Sequence, residues 1–109
     1  MVGYRVDATF AALADPTRRE MLARLAEGEK PVGALTGGFA MSAAGAAKHL
    51  AVLEAAGLVH ACRRGRHRYC RLDTDPLAEA ALWLRRWHRF ESPRAARLRA
   101  LLDTAERIG

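Results

Sequence analysis

A helix followed at once by a short hairpin, in the middle of the chain, constrains this fold more than any other sequence feature. Ser42 is a residue type that caps helices, because its hydroxyl accepts a free backbone N–H of the first turn. Gly57 stands where left-handed backbone would end that helix. Residues 59–63 and 67–72 have the composition of two short strands around a turn at Gly65. The sequence therefore predicts a capped helix joined directly to a β-hairpin.

The predicted hairpin is strongly basic. The chain has a formal net charge of +6, from 18 lysines and arginines against 12 acids. Five arginines and no acid lie within residues 63–71, so most of the net charge falls on the hairpin. Such a patch favours a polyanion as partner, and no helix combines a basic face with an apolar one as membrane-surface helices do. A helix that fits a major groove, followed by a ribbon that can contact phosphate, is typical of a winged-helix DNA-binding domain. The plainer alternative is a surface helix with a solvated hairpin.

The first turns of this predicted recognition helix offer few hydrogen-bonding groups. Alanines fill most positions, so this face can approach a groove closely and touch thymine methyl groups. Lys48 and His49 are the polar residues left to contact DNA. His49 could face the groove, the protein or a phosphate. Glu54 lies near the far end of this helix. We expect it at the surface or bound to an N–H group, rather than reading a base. Sequence preference would then depend on wing arginines in a narrow minor groove and on DNA deformability. The predicted DNA-binding residues are Ser42, Ala43, Ala44, Ala47, Lys48, His49, Arg63, Arg64, Arg66 and Arg68.

Cap signals and apolar periodicity predict the remaining elements. Asp15 followed by Pro16 gives an acidic N-cap with proline at the first helical position, and the acids before Pro76 repeat the signal. We expect a mainly α winged helix-turn-helix fold, with about six helices and a two-stranded wing, in a single domain over residues 1–109. The helices other than the recognition helix are expected at about residues 7–14, 16–26, 32–36, 76–90 and 94–108.

The C-terminal part is unusually apolar for so short a chain. Its first helix carries apolar residues on more than one stripe, and a narrower stripe follows in the last helix. One small winged-helix body has little room for two tryptophans and a second row of leucines. We therefore expect segments 1–14 and 76–109 to form a homodimer interface, the alternative being that the aromatics complete the core of one chain. The predicted interface residues are Phe10, Leu77, Trp83, Leu84, Trp87 and Phe90.

Two cysteines fall on opposite strands of the predicted hairpin. With the turn at Gly65, Cys62 would face residue 68 or 69 and Cys70 would face residue 60 or 61, an offset too large for an unstrained disulfide. Two reduced thiols are the default, with Cys70 towards the core. A redox role remains an alternative, because the arginines would lower the pKa of an exposed thiol.

Other classes of function have little support in the sequence. No nucleophile stands beside a plausible base and there is no glycine-rich phosphate loop, so we expect no enzyme and no cofactor. No run of about 18 apolar residues could span a membrane, and the N-terminus shows no apolar signal core. We expect a cytoplasmic protein without a membrane partner.

Four segments resemble the ArsR family of bacterial repressors. They are residues 10–19 (FAALADPTRR), residues 41–59 with Lys48-His49-Leu50 at their centre, residues 65–72 and Trp83-Leu84. The resemblance implies a dimeric winged-helix repressor that binds an imperfect inverted repeat of double-stranded DNA and is released by metal, by thiol oxidation or by a signal still unknown. The family usually has a serine two positions before the histidine and polar residues in the first turn, where this chain has alanines and a glycine.

The chain also departs from the family's metal-binding patterns. Metal-sensing members carry a cysteine pair on the helix before the recognition helix, and residues 31–35 contain none. Others bind zinc through Asp-x-His-x10-His-x-x-Glu, which Asp75, Leu77, His88 and Glu91 match with leucine replacing the first histidine. Three ligands could hold an ion only weakly, since zinc sites favour four firm donors. We therefore expect a repressor of the type that does not sense metal. An architectural DNA-binding protein, a thiol-responsive repressor and a protein-interaction module are the alternatives, and the inducer, if any, is unknown.

Overall fold

The computed structural model describes the backbone of residues 2–90 and 92–108 and the side chains of residues 5–90 and 92–106. Six α-helices, a 3₁₀ segment and a three-stranded sheet account for most of these residues. In chain order they are α1 (Val2–Leu13), α2 (Pro16–Ala26), β1 (Lys30–Pro31), α3 (Val32–Thr36), α4 (Ala43–Ala55), β2 (Val59–Arg64), β3 (His67–Leu72), α5 (Asp75–Leu84), the 3₁₀ segment (Arg85–Phe90) and α6 (Pro93–Ile108). The mainly helical winged helix-turn-helix prediction is confirmed.

Local capping explains where the central helices begin and end. The Asp15 carboxylate accepts the Arg18 N–H at 3.1 Å at the start of α2, and the Ser42 hydroxyl oxygen accepts the Gly45 N–H at 3.0 Å at the start of α4. After α4, Gly57 has a φ of 77°, which a residue with a side chain adopts only at a cost. The turn between β2 and β3 uses Gly65 in the same way, at a φ of 63°. These four predicted signals are confirmed.

The wing contains one strand more than predicted. The sheet order is β1-β3-β2, so the hairpin strand β3 is central and the two-residue strand β1 pairs with it. Lys30 lies opposite Cys70 and Pro31 opposite Tyr69. A two-residue strand has no alternation to detect, and its proline fits only an edge, so residues 30 and 31 carry no strand signal.

Two helix boundaries also differ from the prediction. Helix α1 begins at Val2 rather than near residue 7, because it packs against α5 and buries Val6 despite the low helix propensity of Gly3. Helix α5 ends at Leu84, and residues 85–90 wind more tightly as a 3₁₀ segment in which every side chain is exposed. Segments of 3₁₀ geometry are common at the ends of α-helices, and this one follows α5 directly.

The hydrophobic core lies between the helix-turn-helix and the sheet. Helices α2, α3 and α4 each contribute a fully buried residue, Met21, Leu35 and Leu53, and the start of β2 contributes Val59. Ala46, Leu50 and Leu53 place one face of α4 in this core. The orientation of α4, and with it the face that stays open, is therefore set by apolar burial.

The two cysteines have opposite environments. Cys62 faces Tyr69 across the hairpin and is exposed, whereas Cys70 faces Ala61 and lies in the core. The predicted register and the predicted burial of Cys70 are confirmed, and both thiols are free. Burial raises the pKa of Cys70, and the nearby Glu54 carboxylate adds to this rise against the opposing effect of Arg68. Only Cys62 is therefore placed to react with a reagent in solution.

We expect Ellman's reagent at mildly alkaline pH to modify one thiol per folded chain quickly, because Cys70 is buried and keeps its proton. Cys62→Ser should abolish the fast phase, and Cys70→Ser, the matched control, should retain it. Denaturant should expose the second thiol of the wild-type protein. Two fast thiols in the folded protein would contradict the buried position of Cys70.

Candidate nucleic-acid interface

The open face of α4 is smooth and bears a single charge. Opposite the buried residues of this helix, the predicted groove-facing residues Ala43, Ala44, Ala47 and Lys48 are all exposed. Ser42 is exposed as well, and its hydroxyl can still donate while its oxygen accepts the capping N–H. Apart from Lys48 these side chains are small, so the first turns of α4 are suited to close approach to a groove wall.

His49 is placed differently from the other predicted α4 residues. Its side chain is 25% exposed and lies against the start of α2, with Nδ1 3.0 Å from Arg18 Nη1 and 3.7 Å from Asp15 Oδ2. The Nδ1 edge of the ring thus faces the protein, which is one of the three positions that the sequence left open. His49 therefore borders the open face of α4 rather than standing at its centre.

Arg18 was not among the predicted site residues, yet it joins three helices. Its Nε donates to the Ala12 carbonyl at 2.7 Å and its Nη2 to the Ala11 carbonyl at 3.0 Å, so Arg18 satisfies carbonyls at the end of α1. Its remaining nitrogen, Nη1, contacts His49 of α4. The sequence shows only an arginine in the first turn of α2, and no spacing rule links it to a residue 31 positions later.

Asp15 completes this junction from the N-cap position of α2. Desolvation pushes the pKa of its carboxyl upwards. The hydrogen bond from the Arg18 backbone N–H, the charge that His49 carries when protonated, the hydrogen bond from the Thr17 N–H and the charge of Arg18 together outweigh it. The pKa of Asp15 thus lies below its ordinary value, and the carboxylate stays ionised beside the arginine.

The four predicted wing arginines fall into two pairs with different surroundings. Arg64 forms an ion pair with Glu29 and lies 4.0 Å above the centre of the Tyr69 ring. Arg68 places Nη2 3.4 Å from Glu54 Oε1, at the far end of α4. Arg63 and Arg66 are exposed and have no ion pair within the described part of the chain. Two arginines are therefore tethered to the domain body, and two project without a counter-charge.

The tethers are weak enough to exchange for other anions. Both ion pairs are solvent-exposed, and such pairs contribute about 0–1 kcal/mol. A phosphate could therefore replace either carboxylate at little cost. The Arg68–Glu54 contact also connects the wing to α4, so the basic ribbon and the open face of α4 form one continuous surface. The carboxylate of Glu54 pairs with an arginine side chain, whereas the sequence had offered a backbone N–H group as one alternative.

A second surface is apolar. Four aromatic rings follow one another from α1 through α5 into the 3₁₀ segment, with centroid separations of 5.8, 5.9 and 6.0 Å. We call this row, Phe10, Trp83, Trp87 and Phe90, the aromatic strip. Trp87 is 49% exposed and Phe90 63%, and Leu84 beside them is half exposed. The other predicted interface residue, Leu77, is partly buried against the core of its own chain and so offers less surface to a partner.

A cavity of about 590 Å³ opens beside the aromatic strip. Helix α6 borders it, and three leucines of this helix, Leu98, Leu101 and Leu102, are more than half exposed. The residues that line the cavity are Ala81, Leu84, Arg85, Trp87, His88 and Ala95.

The candidate metal ligands are not assembled. No three histidine, cysteine or acidic side chains stand close enough to hold a metal ion among the residues that the structure describes. His88 Nδ1 lies 3.4 Å from a guanidinium nitrogen of Arg99, and Glu91 is outside the described residues. Leaving aside residues 1, 91 and 109, no helix is long and apolar enough to cross a membrane.

Comparison with known proteins agrees with this geometry. Residues 13–61 match a helix-turn-helix domain family. The transcriptional repressor SdpR of Bacillus subtilis (strain 168) is 32% identical over 75 residues, which are 69% of this chain and 83% of SdpR. The matched family is a helix-turn-helix domain, and SdpR is a repressor of transcription.

Two solved structures show the same arrangement of elements. The crystal structure of an ArsR family transcriptional regulator superposes with a TM-score of 0.75 at 33% identity, covering 81% of this chain and 91% of that one. A homodimeric winged helix-turn-helix domain from Mycobacterium bovis, described as a possible ArsR-family regulator, superposes with a TM-score of 0.57 at 29% identity. The match covers 94% of this chain and 78% of that one. With its recognition helix, basic wing and these relatives, the chain belongs to the ArsR family of winged helix-turn-helix transcriptional regulators.

Proposed function

We propose that this regulator is a homodimeric repressor that binds an inverted-repeat operator in double-stranded DNA, with α4 in the major groove and the wing on the flanking backbone. The observation that carries the proposal is the continuous surface formed by the open face of α4 and the wing, joined by the Arg68–Glu54 contact at 3.4 Å. Helix α4 is the second helix of the helix-turn-helix, which is the one that enters the groove in this class of domain.

Within this surface the roles divide by chemistry. The alanines of α4 permit close contact with thymine methyl groups, and Lys48 is the charged side chain at the centre of the open face. The wing arginines lie on a ribbon that can contact phosphate or a narrow minor groove, and such contacts supply affinity more than base recognition. Sequence preference then arises largely from DNA shape and deformability.

The aromatic strip and α6 support the proposal of a homodimer. Trp87, Phe90 and the α6 leucines are each about half exposed or more, and exposed apolar side chains grouped in this way mark interaction surfaces. A second copy related by two-fold symmetry would cover this surface and the adjacent cavity with the same residues. The homodimeric state of the Mycobacterium bovis domain supports this arrangement. Segments 1–14 and 76–109 would then be the dimerisation helices, and two copies of α4 would meet successive turns of one DNA face.

We place this repressor in the cytoplasm, among the members of the family that do not respond to metal. Leu77 occupies the position of the first histidine of the zinc pattern, and residues 31–35 contain no cysteine. Exposure of Cys62 leaves a thiol signal as the accessible alternative.

Nonspecific, architectural DNA binding is the second candidate function, and the lack of base-reading side chains on α4 favours it. Footprinting on the promoter of its own gene separates the two. A repressor should protect one symmetric site with two half-sites about one helical turn apart. Diffuse protection would support the architectural role instead.

The wing arginines without a counter-charge should dominate the salt dependence of binding. For Arg63→Ala and Arg66→Ala we expect weaker binding both to a duplex selected by the protein from a random pool and to an unrelated duplex of equal length. The slope of log affinity against log salt should fall by about one for each lost phosphate contact.

Arg64→Ala is the matched control for this experiment, because Arg64 is tethered to Glu29. Its effect on the slope should be smaller than that of either untethered arginine. A slope that stays constant in Arg63→Ala and Arg66→Ala, with loss of the selected sequence alone, would mean that the wing reads bases.

The aromatic strip should control self-association. Removal of a central interface tryptophan typically costs about 2 kcal/mol or more, so Trp87→Ala should raise the dimer dissociation constant about 30-fold or more. Analytical ultracentrifugation at micromolar concentration should show a wild-type dimer and a shift of Trp87→Ala towards monomer. Val52→Ala, which shortens an exposed apolar side chain on α4, should sediment like the wild type. A monomeric wild-type protein would refute the two-half-site arrangement.

A further inference from the structure

We propose that Arg18 holds His49 as the neutral tautomer with its proton on Nε2, and that this N–H donates to a DNA phosphate at the border of the recognition helix. Arg18 is then a positioning residue for DNA binding, although it lies on α2. The phosphate contact rests on the proposed function, whereas the tautomer is a property of the free protein.

The distance between the two side chains determines the tautomer. Arg18 Nη1 and His49 Nδ1 are 3.0 Å apart, which is a hydrogen-bond distance. A guanidinium has donors only and stays protonated, so Nδ1 must be the acceptor. An imidazole that accepts at Nδ1 carries its proton on Nε2.

Asp15 is the competing partner, because a carboxylate favours a protonated imidazole. Its Oδ2 lies 3.7 Å from His49 Nδ1, beyond hydrogen-bond distance, and it already accepts the backbone N–H of Arg18 at 3.1 Å. Protonation at Nδ1 would place two cationic donors 3.0 Å apart. The Ala11 and Ala12 carbonyls hold the guanidinium in place, so Arg18 cannot withdraw without losing both bonds.

The opposite edge of the ring is available to a ligand. His49 Nε2 has no hydrogen-bond partner among the described residues, and it is not among their buried unpartnered side-chain atoms, so it reaches solvent. His49 follows Lys48 directly, and it stands between the buried and the open face of α4. Side-chain hydrogen bonds to phosphate fix the orientation of a DNA-binding domain on the duplex. A neutral donor at this position orients the helix without releasing a counter-ion.

The first experiment needs no DNA. Long-range ¹H–¹⁵N correlation spectra of the free wild-type protein should show His49 protonated at Nε2 and unprotonated at Nδ1 at neutral pH. In Arg18→Met this preference should weaken. Protonation at Nδ1, or at both nitrogens, in the wild-type protein would overturn the assignment whatever the protein does to DNA.

The second experiment tests the phosphate contact with two amides of different reach. His49→Gln places an N–H near the position of Nε2 and should retain most of the affinity for the selected duplex. His49→Asn is too short to do so and should bind about 10-fold more weakly, the loss expected for one hydrogen bond to a charged group. Both variants should keep the wild-type slope of log affinity against log salt, since a neutral donor displaces no counter-ion. Equal binding by His49→Asn and wild type, or a slope lowered by about one, would overturn the proposal.

A double-mutant cycle tests whether Arg18 acts through His49. Arg18→Met should reduce affinity about as much as His49→Asn, and combining the two should add little further loss. Circular dichroism melts of each variant separate this effect from unfolding. If Arg18→Met fails to fold, the wild-type spectra still test the tautomer, and the comparison of His49→Gln with His49→Asn still tests the phosphate contact. Additive losses would show that Arg18 acts independently of His49, and a wild-type protein without affinity for any duplex would refute the proposed function while leaving the tautomer result intact.

Discussion

Burial of one face of α4 is the constraint on which the rest of the interface depends. Ala46, Leu50 and Leu53 fix the rotation of this helix about its own axis, because turning it would expose leucines and bury Lys48. The alanine face opens to solvent as the consequence, and His49 falls at the border where α2 can reach it. The chain then enters β2 through the buried Leu58 and Val59, so the base of the wing is anchored in the same core. Helix α4 and the wing thus pack on the same hydrophobic core.

Local signals predicted much of this arrangement. The caps at Asp15 and Ser42, the glycines that end α4 and turn the hairpin, and the offset of the two cysteines depend on residues close in sequence. What the sequence missed depends on distant partners. The strand β1 exists because β3 lies beside it, and α1 extends to Val2 because α5 covers Val6. The ion pairs of Arg64 and Arg68 join residues 35 and 14 positions apart, so a run of arginines alone could not show which of them are tethered.

Arg18 and the wing glutamates show how a few polar contacts organise a small domain. Arg18 uses all three guanidinium nitrogens on α1 and α4, so it fixes the angle between helices whose mutual apolar contact is slight. Glu29 and Glu54 hold two arginines against the body of the domain and neutralise part of the charge of the wing. Of the four wing arginines, Arg63 and Arg66 then keep a positive charge with no ion pair among the described residues. Position, rather than number of arginines, therefore shapes the electrostatic surface.

The three-stranded sheet has two edges, and each is closed to a further strand. On one side β1 ends in Pro31, which lacks a backbone N–H to donate to a neighbouring chain. On the other side β2 carries Arg63 and Arg64, and a second copy laid along it would bring like charges together. Both edges thus disfavour growth of the sheet by strand addition between copies of this chain. The arginines proposed to contact phosphate also keep the wing from pairing with the wing of another molecule.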